Sequence, residues 1–235
     1  MEMEPEPSSF GSLKTLEATQ CDEGLNKLLR TLFHGSHDLE NLTIENCEVM
    51  EQLFDHGDLA PNIPKLRRMR LNGLPKLNCI WNIDPKLRGT IEISDQVELE
   101  ITNCGILNCP LPTALLEKLV QLKIESCDMM EQVMDEEKEV QHRLLHNLKT
   151  LQLVKLQKLK RFNSGNYILT FPNLKTLVIQ ECPTLNAFNH APPDEQMVRM
   201  LYLNVLSLNF TLLISCHKYK ESCLVLPPVL NKRPN

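Results

Sequence analysis

A nine-residue phrase recurs along this 235-residue chain. LKTLEATQC begins at Leu13, LENLTIENC at Leu39, LRRMRLNGL at Leu66, LVQLKIESC at Leu119, LKTLQLVKL at Leu148 and LKTLVIQEC at Leu174. All obey one template: apolar, two free, apolar, one free, apolar, two free, then Cys or Leu. A seventh copy, QVELEITNC from Gln96, lacks the first apolar residue. The starts fall at 13, 39, 66, 96, 119, 148 and 174, so the intervals are 26, 27, 30, 23, 29 and 26 residues. No single copy is large enough to bury its own apolar face. The copies must stack on one another, each covering the next.

The physical meaning of the template follows from its spacing. Apolar–free–apolar is the alternation of a short strand with one buried face. The interval centres on the length class of leucine-rich repeats, roughly 20–29 residues. The expected fold is therefore an α/β repeat, a leucine-rich-repeat solenoid. It is a horseshoe with a parallel β-sheet on the concave face and an irregular or short-helical convex side. Cys21, Cys47, Cys104, Cys127 and Cys182 all fall at the last template position, where the chain must turn. A small, poorly hydrated side chain suits that turn, so these five of the nine cysteines are assigned a structural role. A second apolar series follows the turn: Met50, Leu53 and Phe54, then Leu77, Ile80 and Trp81, then Met130, Val133 and Met134. Leu159 and Phe162, and Leu185 and Phe188, continue it in the later copies. These side chains are expected to fill the interior and the convex layer.

Composition closes off several alternatives. Net charge is −5 with a pI near 5.8, so the basic excess needed to displace counterions from phosphate is absent, and nucleic acid is not an expected partner. Residues 1–9 read as a disordered acidic leader without the apolar core of a signal peptide. On that reading the cysteines are reduced and the chain cytoplasmic. Residues 10–190 carry the repeats, and 191–235 read as a degenerate cap or disordered tail. Within that tail Met200–Cys216 is uncharged but carries Asn204, Ser207, Asn209, Thr211 and Ser215. Such residues are costly in hydrocarbon, so a terminal cap is expected and a membrane span is not. The DEEKE run at 135–139 reads as a solvated loop tip.

Catalytic motifs are missing. His142 and His146 are spaced for one helical face but have no Glu between them, and there is no Cys-x-x-Cys pair. Cys104 and Cys109 are near each other but isolated. No G-x-S-x-G or glycine-rich phosphate loop occurs. The reading is non-enzymatic, with no catalytic, metal or cofactor site and no cofactor.

Binding is expected on the concave face, where the free strand positions point outward in three columns. The first is Thr15, Asn41, Arg68, Glu98, Gln121, Thr150, Thr176. The second is Glu17, Thr43, Arg70, Glu100, Lys123, Gln152, Val178, and the third Thr19, Glu45, Asn72, Thr102, Glu125, Val154, Gln180. Arg68, Arg70, Glu98, Glu100, Lys123, Glu125 and Gln152 are the candidate protein-binding residues. Charges there govern specificity and encounter rate more than affinity. The same residues have a second reading, as cross-strand ion-pair ladders: Arg68 with Glu98, and Arg70 with Glu100 and Lys123.

FPNLKTLVIQECPTL (Phe171–Leu185), LPKLNCIW (Leu74–Trp81) and LENLTIENCEVMEQLF (Leu39–Phe54) carry a further likeness. They resemble the repeat region of plant nucleotide-binding leucine-rich-repeat disease-resistance proteins of the coiled-coil class. That family intersperses repeats of the LPxLxxIW and LxIxxCPxL kinds, as residues 10–190 do here. The resemblance implies a recognition module of a plant innate-immune receptor. Its partner would be a pathogen effector, a host guarded protein or a receptor's nucleotide-binding domain. The chain departs from the family in having no G-x-x-x-x-G-K-[ST] loop, so the nucleotide-binding domain is lacking. A general adaptor, such as the substrate-recognition arm of a ubiquitin ligase, is the alternative.

Overall fold

The computed structural model describes residues 12–35, 38–54, 66–81, 94–134, 142–163, 168–185 and 211–215. The acidic leader, the DEEKE run, Phe188 and most of the tail lie outside the described residues.

Each template copy forms a strand: β1 (Thr15–Thr19), β2 (Asn41–Glu45), β4 (Arg68–Asn72), β6 (Val97–Thr102), β7 (Leu119–Glu125), β10 (Thr150–Val154) and β13 (Thr176–Gln180). With β14 (Thr211–Ser215) they make one eight-stranded sheet in the order β1-β2-β4-β6-β7-β10-β13-β14. Every described pairing in it is parallel. Strand order equals chain order, so each coil is laid beside the one before it. The fold is a leucine-rich-repeat solenoid with little helix.

The apolar template positions form the core of the stack. Leu39, Leu42 and Ile44, their counterparts Leu119, Leu122 and Ile124, and Leu174, Leu177 and Ile179 have no exposed surface. The copy beginning at Gln96 recovers its missing apolar residue by a local slip. Val97, buried, pairs with Leu119, and the register then shifts so that Glu98 faces Gln121. A bulge thus places a side chain at a position the linear template leaves polar.

After each turn the chain runs back along a second side. There β3 (Gln52–Phe54) pairs with β5 (Cys79–Trp81) and β8 (Gln132–Met134) with β11 (Arg161–Asn163), while a separate pair, β9 (His142–Leu144) with β12 (Ile168–Thr170), forms later in the coil, before β10 and β13. The second apolar series supplies this layer. Phe54 stacks on Trp81 at 5.1 Å between ring centroids and packs against Phe33 at 4.7 Å. Phe33 belongs to α1 (Gly24–Gly35), which replaces the second-side strand in the first coil. Its buried residues Leu25, Leu29, Leu32 and Phe33 form one helical stripe, and the Asp22 carboxylate accepts the Gly24 N–H at its start. A four-residue helix, α2 (Thr113–Leu116), precedes β7.

β14 falls within the segment read as a degenerate cap. Its register sets Leu212 beside Leu177 and Ile214 beside Ile179, the two central apolar positions. The flanking template positions are Asn209 and His217, which hid this copy from sequence inspection.

Candidate functional site

The turn positions the strand face. One residue before each Cys or Leu the backbone enters the left-handed region, at Gln20, Asn46, Gly73, Asn103, Ser126, Lys155 and Glu181. The N–H of this residue donates to the last strand carbonyl of the next coil, as from Asn46 to Asn72 O (2.9 Å) and from Asn103 to Glu125 O (3.0 Å). The cysteine thiol then donates back to its own strand's last carbonyl. Cys47 reaches Glu45 O at 3.4 Å, Cys104 reaches Thr102 O at 3.4 Å and Cys182 reaches Gln180 O at 3.3 Å. Cys21 and Cys127 do the same toward Thr19 O and Glu125 O. Burial pushes the Cys47 thiol above its ordinary pKa. The hydrogen bond with Cys104, together with burial, pushes up that of Cys127. Such thiols are poor nucleophiles, because the thiolate is the reactive form.

The free strand positions stand in register as three columns on the solvent side. Its charged centre is internally paired. Arg68 Nε donates to Glu98 Oε2 at 2.8 Å. Arg70 Nε lies 3.4 Å from Glu100 Oε2. Lys123 Nζ donates to Glu100 Oε1 at 2.9 Å and lies 3.2 Å from Glu125 Oε2. Glu98 holds the Arg68 guanidinium above its ordinary pKa, and Glu100, with Glu125, does so for the Lys123 ammonium. Gln152 pairs in register with Lys123 and carries the second column onto β10. The third column begins its own network at Asn72, whose Oδ1 accepts from Thr102 Oγ1 and from Asn103 Nδ2, both at 2.9 Å.

Two groupings escaped sequence inspection. Lys14, Glu40 and Arg67 occupy the second template position, just before the strands, and form a parallel rail with both N···O distances at 3.7 Å. Their common template position was the available signal. The second is a disulfide between Cys79 and Cys109, with Cα atoms 4.8 Å apart. It corrects the expectation of reduced cysteines for this pair, while Cys21, Cys47, Cys104, Cys127 and Cys182 form no disulfide. Both partners stand five residues past a turn position, after Leu74 and Cys104, so stacked coils bring them side by side.

A cavity of about 410 Å³ opens beside α1, with Glu23, Arg30, Glu51 and Gln52 in its walls. Among the described residues no Ser, Cys or His lines it. Among the described residues no group of His, Cys, Asp and Glu side chains is arranged to hold a metal ion. No described helix is long and apolar enough to cross a membrane.

Stacked parallel coils, a buried turn residue and an open polar strand face define the leucine-rich-repeat class. More particularly, the chain belongs to the family described as plant disease resistance protein RPS2-like, leucine-rich repeats, whose model matches residues 2–123 and 110–207. Neither the curated proteins nor the solved structures contain a match to the chain.

Proposed function

We propose that this chain is a protein-recognition module of a plant innate-immune receptor. It binds a protein partner on the solvent side of its sheet and catalyses nothing. The observation that carries this reading is the regular array of outward polar side chains on parallel strands, centred on Arg68, Arg70, Glu98, Glu100 and Lys123. Repetition fixes these groups on a stiff frame, so a partner meets them without first ordering them. That lowers the entropic cost of association. Because they pair with one another, they set which surfaces are tolerated more than how tightly they are held. The partner is a pathogen effector, a guarded host protein or the nucleotide-binding domain of a receptor, and the setting is the cytoplasm. Membership of the disease-resistance repeat family supports the same reading.

The decisive variant reverses these five charges and Glu125 together: R68E, R70E, E98R, E100R, K123E and E125K. This keeps each pair opposite in sign while inverting the pattern a partner meets, so folding is preserved. Binding is measured against the isolated nucleotide-binding domain of a coiled-coil-class receptor and against plant-cell extract. A native chain that captures a specific partner, and a folded variant that loses it, supports the reading. Equal recovery by both removes the charged centre from the binding surface.

A further inference from the structure

On the second side of the solenoid short pairings join the coils from the second to the sixth, and among the described residues one joint within that run differs. β3 pairs with β5 between the second and third coils, and β8 with β11 between the fifth and sixth. A parallel bridge from Leu111 to Met134 joins the fourth coil to the fifth. Between the third and fourth coils no strand pairing spans the described residues on this side. One backbone hydrogen bond does, from the Asn108 N–H to Asn78 O at 3.3 Å. The Cys79–Cys109 disulfide lies one residue further along both segments. In the neighbouring coil the partner of Cys79 in register is Gln52, so cysteine occupies this column only where the ladder is interrupted, among the described residues.

The opposite side of the same joint is fully tied. β4 and β6 are in register from Arg68 opposite Glu98 to Asn72 opposite Thr102, and the two arginine–glutamate pairs cross there. Cys79 is buried, whereas Cys109 is only partly covered. An attacking sulfur therefore has access at Cys109.

We propose that Cys79 and Cys109 form a redox-modifiable clasp, opened by a dithiol reductant at Cys109. Opening frees one side of the joint between the third and fourth coils. A reductant thiolate attacks Cys109 Sγ; the Cys79–Cys109 bond breaks, and Cys79 leaves as a thiolate that takes up a proton. The reductant's second thiolate then displaces Cys109, which is protonated in turn, and the reductant departs as its own disulfide. Two electrons pass from reductant to protein. The main sheet stays paired, so the joint bends about β4 and β6 and re-spaces the charges that cross them. This device stands whether or not the recognition reading does.

The test uses the full chain, differential alkylation mapped by mass spectrometry, and amide hydrogen exchange with and without dithiothreitol. Without reductant, Cys79 and Cys109 are expected to resist iodoacetamide. After dithiothreitol under native conditions both are labelled. Reduction is expected to speed exchange at Asn108 by at least about tenfold, the factor for losing about 1.4 kcal/mol of local protection. The amides of Glu98 and Gly73, which cross the same joint on the sheet side, keep their protection. A C79S/C109S chain is expected to exchange like the reduced protein, with or without dithiothreitol. Four results overturn the proposal: labelling of both cysteines before reduction, a bond that opens only on denaturation, unchanged exchange at Asn108, or loss of protection across the whole sheet.

Discussion

At the turn, one residue per coil carries a conformational cost and the next carries a packing role. Six of the seven left-handed turn positions described hold a residue with a side chain; the exception is Gly73. A Cβ added there would collide with the side-chain oxygen of Asn46 in the preceding coil. Gly73→Val is therefore expected to destabilise the chain by about 1–3 kcal/mol, the cost of holding a branched residue in that backbone region, measured by urea denaturation. Cys127 makes a pH-dependent contribution. In the unfolded chain a thiol ionises near about pH 8.5, whereas the folded Cys127 holds its proton more tightly, through Cys104 and burial. Below that pH the contribution is complete; above it the unfolded chain releases a proton that the folded chain retains, and stability is lost. The melting temperature is expected to fall between pH 8 and 10, and less steeply in Cys127→Ala. Equal slopes in the two chains would mean that another group dominates.

At the scale of the strand, two kinds of force act on opposite faces, and they differ in size. Leu122 has no exposed surface, and truncation to Ala is expected to cost about 2–5 kcal/mol, read from a shifted denaturation midpoint. On the other face Arg68 and Glu98 are 47% and 40% exposed. A double-mutant cycle over Arg68→Ala and Glu98→Ala is expected to return a coupling of about 0.2–1 kcal/mol, shrinking in concentrated salt. A larger, salt-insensitive coupling would make the ladder a major structural element. The contrast fits the recognition role proposed for the charged centre: the apolar face holds the coils together, and the ion pairs are expected to add little to it.

For the whole molecule, stability is the sum of coil-on-coil contacts, so the ends matter most. β14 covers the edge of β13 through a full five-residue register. A chain ending at residue 190 would leave β13 as an open strand edge, a template for pairing with another copy. It is expected to self-associate, with light scattering that rises with concentration, whereas the full chain does not scatter in this way. Equal behaviour would show that β14 is dispensable as a cover.

Much of this protein was legible from spacing alone. A nine-residue phrase with two inner apolar positions, recurring every 23 to 30 residues, determined the parallel strands, their order, their register in three columns and the turn cysteines. Each of these depends on residues a fixed distance apart, and identical coils can stack in register in only one way. Three features came from the tertiary structure, each where the period is broken. Val97 enters the core through a bulge, because it pairs with Leu119 of the neighbouring coil, whereas the linear template puts the apolar position at Gln96. β14 is recognisable only by its pairing, because Asn209 and His217 stand where the template asks for apolar or turn residues. Cys79 and Cys109 meet because both keep the same distance from their turns across a joint of 30 residues. Proximity across such a joint is decided by how the coils stack, and stacking depends on the whole set of buried contacts, which no single repeat contains.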